Sequence, residues 1–220
     1  MRVFLCLWAE PEGYVAVGST VKVLSDQNHI VDLFCDKHDL HNIIKRTNKR
    51  AQKTSGAQRL VNKLRTALRY SRYLIRIIRA TRENQPGVVI GYNRFGVLAA
   101  YMVKLFSRNT TLIYHNFDFD PSHYNGFLGR AETFVARTAD LTIFPAEGRG
   151  IEYKKLANLK KEPLSVMNCF PLDWVHQRKN LLVPLLDQKG VQFDKLVVRL
   201  GMMGPYHALE ATIKSVSTWN

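Results

Sequence analysis

Short, nearly all-apolar runs recur along this chain of 220 residues, each followed by a longer stretch of helical character, and the first run begins at Arg2. Arg2–Leu7 (RVFLCL) and Ile30–Cys35 (IVDLFC) read as short buried strands. Between them lie a loop with Pro11, Gly13 and Gly18 and a helix-like stretch from about Val17 to Gln27. The pattern resumes with strands at Gly87–Tyr92, Thr110–His115, Leu141–Phe144 and Leu164–Met167. Helices are expected between them, at Phe95–Phe106, Gly126–Ala139 and Glu147–Leu159. Alternation of this kind implies an α/β domain, a Rossmann-like parallel sheet with helices on both faces.

That domain is expected to occupy residues 1–170. From Asp173 to Gln192 the pattern is lost, and Pro184 and Gly190 suggest a linker over 171–194. Lys195–Leu200 (KLVVRL) is again strand-like, followed by Gly201–Pro205 and a helical start from Ala208. Residues 195–220 therefore read as the first βα unit of a second domain. One such unit cannot bury a core by itself. It is expected to dock on the first domain, to be completed by another polypeptide, or to be truncated.

The charge is not spread evenly. Fourteen basic residues and one acidic residue, Asp39, fall between Lys37 and Arg82, a net of +13. The other eighteen basic and seventeen acidic residues net only +1. A histone-like chain is excluded, and a local anionic partner is implied. The basic insert, 37–85, lengthens the second crossover. Its Lys45–Ser55 part reads as a polar loop. From Ala57 to Arg82 the apolar residues Leu60, Leu64, Ala67/Leu68, Leu74/Ile75 and Ile78 recur as a helical stripe. Arg59, Lys63, Arg65, Arg69, Arg72, Arg76 and Arg79 fill most of the remaining positions. Such a helix suits an anionic membrane surface. Nucleic acid is the competing partner, with Tyr70 and Tyr73 available to stack on bases, but no nucleic-acid-binding motif is present. A solvated basic face on a core helix is the plain alternative.

Other classes fall away on composition. A chain 46% hydrophobic and 23% charged is ordinary globular material. No apolar run approaches the roughly 18 residues of a membrane span. Cys6, Cys35 and Cys169 cannot all pair within one chain, and none has metal-ligand spacing, so structural thiols in a reducing, cytosolic compartment are expected.

The order of elements resembles the N-terminal half of a GT-B glycosyltransferase of the large retaining family 4 (group 1) type. The stretches that carry the resemblance are GVVIGYNRFGVLAAY, TTLIYHNFD and RAETFVARTADLTIFPAEG, together with LSVMNCFPLD and KLVVRLGMMGPYHALEATIKS. The resemblance implies transfer of a sugar from a nucleotide-sugar with retention of anomeric configuration and no metal or other cofactor. It also implies an acceptor held by the N-terminal domain, often lipid-linked and reached from the cytoplasmic face. The family's Glu-x7-Glu carboxylates have no counterpart here, and where it often carries Arg and Lys facing the donor diphosphate stand Met202 and the Tyr206/His207 pair. A non-catalytic partner subunit of a split glycosyltransferase is the alternative that this departure opens.

His115 closes the strand LIYH at the sheet edge where open α/β folds place ligands. It matches a family histidine facing the donor sugar, where imidazole can hydrogen-bond a hydroxyl or steady charge at the anomeric carbon; a strand-end cap is the structural alternative. Gly13 and Gly18, with Gly201 and Gly204 in the second βα unit, are candidates for bringing backbone N–H groups to the donor phosphates, or are plain loop glycines. Asn93, Arg94 and Asn116 are candidates for the acceptor side, although Asn93 also fits a helix N-cap. Asp118-Phe119-Asp120 imitates a metal-binding Asp-x-Asp, but no metal role is expected. Glu132, Arg137 and Asp140 match family positions and are expected to be structural, Arg137 and Asp140 as a local pair.

Overall fold

The computed structural model describes residues 1–9, 11, 14–36, 56–168, 182–190 and 214. Gly13, Gly201, Gly204, the loop Lys45–Ser55 and the strand expected at Lys195–Leu200 lie outside the described residues. The chain divides into two units, Met1–Val175 and His176–Asn220.

The first unit holds the sheet. In chain order its elements are β1 (Arg2–Leu7), α1 (Val15–Asp26), β2 (Ile30–Cys35), α2 (Gly56–Asn84), β3 (Val88–Tyr92) and α3 (Asn93–Phe106). They continue with β4 (Thr111–His115), α4 (Phe127–Thr138), β5 (Leu141–Phe144), α5 (Glu147–Ala157) and β6 (Leu164–Ser165). The six strands lie in the order β2-β1-β3-β4-β5-β6 and pair in parallel throughout. In the second unit a seven-residue helix, α6 (Leu182–Gln188), stands within the stretch expected to be linker.

Strands covered on both faces need apolar side chains on both, and the alternation of β1 shows where each goes. Val3, Leu5 and Leu7 join Ile90, Tyr92 and the Val17 of α1 on one face. Phe4 and Cys6 point the other way, into a larger cluster with Val89, Leu112, Tyr114 and Phe144 that α2, α3, α4 and α5 cover. Helix α3 comes closest to the sheet. A Cβ on Gly96 would sit 2.2 Å from the Cys6 carbonyl oxygen, so only glycine allows that approach.

Helix α1 differs from the sequence reading in where it starts. Helix α1 starts at Val15, two residues early, with no side-chain cap at Tyr14 to advertise it. Gly18 is thus its fourth residue, and its N–H bonds the Tyr14 carbonyl (3.4 Å) instead of lying in the preceding loop. On helix α2 the first leucines of the expected stripe are exposed and another face turns inward. Tyr73, Ile77 and Thr81 are its buried residues, whereas Leu60, Leu64 and Leu68 are 60%, 56% and 62% exposed. Tyr70 packs against Trp8 and Phe95 and donates its hydroxyl to the Phe95 carbonyl (2.8 Å). Both tyrosines are thereby engaged with the domain interior and not displayed to a base.

Candidate functional site at the carboxyl edge of the sheet

The chain runs from β1 outward to β2 and then crosses back to β3 on the other side of β1, so the strand order reverses between β1 and β3. Ligands of open α/β sheets bind in the crevice that such a reversal leaves at the strands' carboxyl ends. Tyr92 ends β3 and pairs in register with His115, which ends β4.

These two form an aromatic cluster with residues from neighbouring loops. The His115 ring lies 4.7 Å from Phe117 and 5.4 Å from Tyr92. Phe117 stacks in turn on Tyr92 and on Tyr14, each at 5.3 Å. His115 is 5% exposed, and its Nε2 finds no hydrogen-bond partner among the described residues. Burial pulls its pKa down to about 4. The side chain is therefore a neutral imidazole at physiological pH, with one nitrogen that no described residue bonds.

The loop that carries Phe117 is held from two sides. Asn93, the first residue of α3, sits in the left-handed region (φ 52°), and its Oδ1 accepts from the Phe117 N–H at 2.8 Å. Asn is among the few side-chain-bearing residues that tolerate this backbone. Its carboxamide thus clamps the neighbouring loop and does not cap its own helix. On the other side Arg149 donates to the Phe117 carbonyl at 3.1 Å.

Arg94 and Asn116 belong to the opposite face of the sheet. Asn116 follows His115 but, by strand alternation, turns toward α4. Its Nδ2 donates to the hydroxyls of Tyr114 (2.5 Å) and Tyr124 (3.3 Å). Both tyrosines donate to Oε1 of Glu132, which is 1% exposed. Arg94 closes the network, its Nε at 2.7 Å from the other Glu132 oxygen and its guanidinium over the Tyr124 ring. Burial, with the neighbouring Tyr153 and Glu132, pushes the Tyr114 hydroxyl well above the ordinary tyrosine range. It is a permanent donor. The structure thus separates two residues that are adjacent in sequence: His115 faces the α1 side, and Asn116 with Arg94 faces a buried polar network.

Contacts also place Arg137, Asp140 and Asp120. Arg137 donates to the Ala157 carbonyl (2.5 Å), while Asp140 pairs with Lys104 (2.5 Å) and accepts from the Leu112 N–H (2.8 Å), so the two do not form the expected local pair. Asp120 caps the turn at Pro121–Tyr124 by accepting from the Ser122 N–H. Among the described residues no group of three metal-ligating side chains converges, and no helix is long and apolar enough to cross a membrane. Cys6 and Cys35 are free thiols.

On α2, Arg69 pairs with Asp36 (2.7 Å) and Arg76 donates to the Cys35 carbonyl (2.7 Å), both against the end of β2. Arg65, Arg72 and Arg79 are exposed, as is Lys63. Arg59 lies in the first turn of α2, with its side chain outside the described set.

A parallel six-stranded sheet in this order, sandwiched by helices, is the Rossmann-like arrangement of GT-B glycosyltransferases. HepE of Anabaena, solved in complex with UDP and glucose, shares it with a TM-score of 0.61 and 13% identity, over 100% of this chain and 58% of that one. MurG of Acinetobacter baumannii is 13% identical over 81% of this chain and 49% of its own, with a TM-score of 0.42. No protein-family model and no curated protein matches the sequence. The chain spans less than two thirds of the length of these neighbours. The likeness to HepE shows the Rossmann-like fold alone.

Proposed function

We propose that the chain is the acceptor-side part of a retaining GT-B glycosyltransferase of the family 4 type, using a nucleotide-sugar donor and no other cofactor. Residues 171–194 would link it to a donor-binding domain beginning at 195. The observation that carries the proposal is His115: a buried, neutral imidazole at the carboxyl edge of β4, with Nε2 unsatisfied among the described residues and beside a loop held by Asn93 and Arg149. A sugar hydroxyl is the kind of group that satisfies such a nitrogen, accepting or donating one hydrogen bond without a charge change. The neighbour's UDP and glucose support a nucleotide-sugar as the co-substrate.

The acceptor proposed is a glycan precursor carried on a membrane lipid, at the cytoplasmic face, within polysaccharide biosynthesis. The basic face of α2 supports that part. The test is transfer of labelled sugar from a panel of nucleotide-sugars, UDP-glucose first, into the lipid fraction of membranes, by the full chain. Products should keep the donor's anomeric configuration, and His115→Ala should lower turnover by about 100-fold or more. Unchanged turnover in that variant would remove His115 from the reaction.

A second reading is a partner subunit of a split transferase. It is favoured by Met202 and the Tyr206/His207 pair standing where the resembling family often has Arg and Lys. Transfer that appears only when the polypeptide encoded next to this one is added would establish it.

A further inference from the structure

Helix α2 has three faces along its 29 residues. Tyr73, Ile77 and Thr81 face the core. Arg65, Arg69, Arg72, Arg76 and Arg79 are spaced 4, 3, 4 and 3 residues apart. At 3.6 residues per turn that spacing keeps all five within an arc of about 80° for some 21 Å of helix. Beside this ladder runs a third face, where Val61, Leu64, Leu68 and Ile75 are 42%, 56%, 62% and 48% exposed. Their helical positions place them within about 60° of one another and next to the arginines. From Gly56 to Arg82 the helix holds eight basic residues and no acidic one. Asp36 at the end of β2 engages Arg69, and Glu83 follows the ladder's end.

We propose that α2 lies in the interface of an anionic lipid bilayer. Val61, Leu64, Leu68 and Ile75 sit at the headgroup–acyl boundary, and Arg65, Arg72 and Arg79 lie against lipid phosphates. The partner follows from pairing the two exposed faces. A row of cations alone fits any polyanion, but a parallel row of leucines gains nothing from a solvated nucleic-acid backbone. The tyrosines that would stack on bases are turned inward. A planar surface that is apolar within and anionic at its rim satisfies both rows at once. The proposal deepens the membrane side of the reading above, and it does not require that the chain transfer a sugar.

The test is co-sedimentation of the full chain with vesicles of phosphatidylcholine alone, or of phosphatidylcholine mixed with phosphatidylglycerol, at physiological salt. Circular dichroism confirms that each variant is folded, which the exposure of the substituted residues favours. The wild type should bind the mixed vesicles at least about 10-fold more tightly than the neutral ones. The double variant Leu64→Ser/Leu68→Ser should lose about 10-fold or more of that binding. Arg72→Glu/Arg79→Glu should lose a similar amount, and Arg72→Lys/Arg79→Lys should keep it, because charge is what the surface reads. Wild-type binding by the leucine variant would overturn the insertion. Equal binding to both vesicle types would overturn the role of the arginines. Binding of single-stranded RNA with indifference to vesicles would replace the lipid by nucleic acid. None of these outcomes reads sugar transfer, so failure here is distinct from failure of the transferase reading.

Discussion

His115 shows how burial sets chemistry at a single residue. With a folded pKa of about 4 against an ordinary 6.5, it stays uncharged where an exposed histidine takes up a proton. The sign of its effect on stability follows. Above pH 6.5 neither the folded nor the unfolded side chain is protonated, and the group contributes no pH dependence. As the pH falls from 6.5 toward 4, the unfolded chain binds a proton that the native one refuses. Stability should therefore decline across that window, by up to about 3 kcal/mol. Urea denaturation at a series of pH values measures this, and His115→Gln should flatten the slope between those limits. A wild-type slope that persists in the variant would assign it to other groups. On the opposite face of the sheet, Glu132 and Arg94 pose a coupled problem. Arg94→Ala leaves a buried carboxylate without its cation and should cost about 3–5 kcal/mol. Replacing both, Arg94→Met with Glu132→Leu, should cost clearly less than the sum of the single changes. Strict additivity in the double-mutant cycle would mean that the pair is not coupled.

At the scale of elements, legibility depended on whether the determining contacts were local. Strands β1, β2 and β5 stand where their apolar runs placed them, since a run bounded by polar turns leaves little freedom in length. The start of α1 was not visible because Tyr14 provides no capping side chain. The inward face of α2 is not legible for a different reason. The leucine stripe is the stronger periodic signal, but the sheet offered a surface matched to Tyr73 and Ile77, reached across residues far apart in sequence. The same holds at the candidate site. His115 was legible as a polar residue ending an apolar strand, whereas Tyr14 and Phe117 around it, and the Arg94–Glu132 pair, are joined only by the fold. Two glycines test this element-level account. Gly96→Ala should destabilise by about 2 kcal/mol or more, because the new methyl meets the Cys6 carbonyl, which is backbone and cannot swing aside. Gly148→Ala in α5 meets nothing within 4 Å and should stabilise, by up to about 1 kcal/mol. Thermal denaturation of the pair reads opposite signs from one substitution, and a shared sign would mean that helix propensity, not the approach of α3 to β1, decides.

For the whole molecule, the packing points to the first unit as the self-sufficient part. Among the described residues all six strands and both apolar clusters lie within Met1–Val175. A domain of that size buries roughly 70% of the surface that its unfolded chain exposes, ample for independent folding. In the second unit the helix α6 has seven residues, too few to persist as an isolated helix in water. A fragment ending at Val175 should accordingly unfold in one cooperative transition, with a midpoint close to that of the full chain. It should also keep the lipid affinity assigned to α2, since that helix and the β2 end it packs on are both present. Sugar transfer, by contrast, should be lost, because the proposed donor-binding segment from 195 onward is gone. Retained folding and lipid binding with lost transfer is the expected combination. A fragment that shows no cooperative transition would mean that His176–Asn220 supplies part of the fold's stability, and that the basic crossover belongs to a larger cooperative unit than the sheet alone.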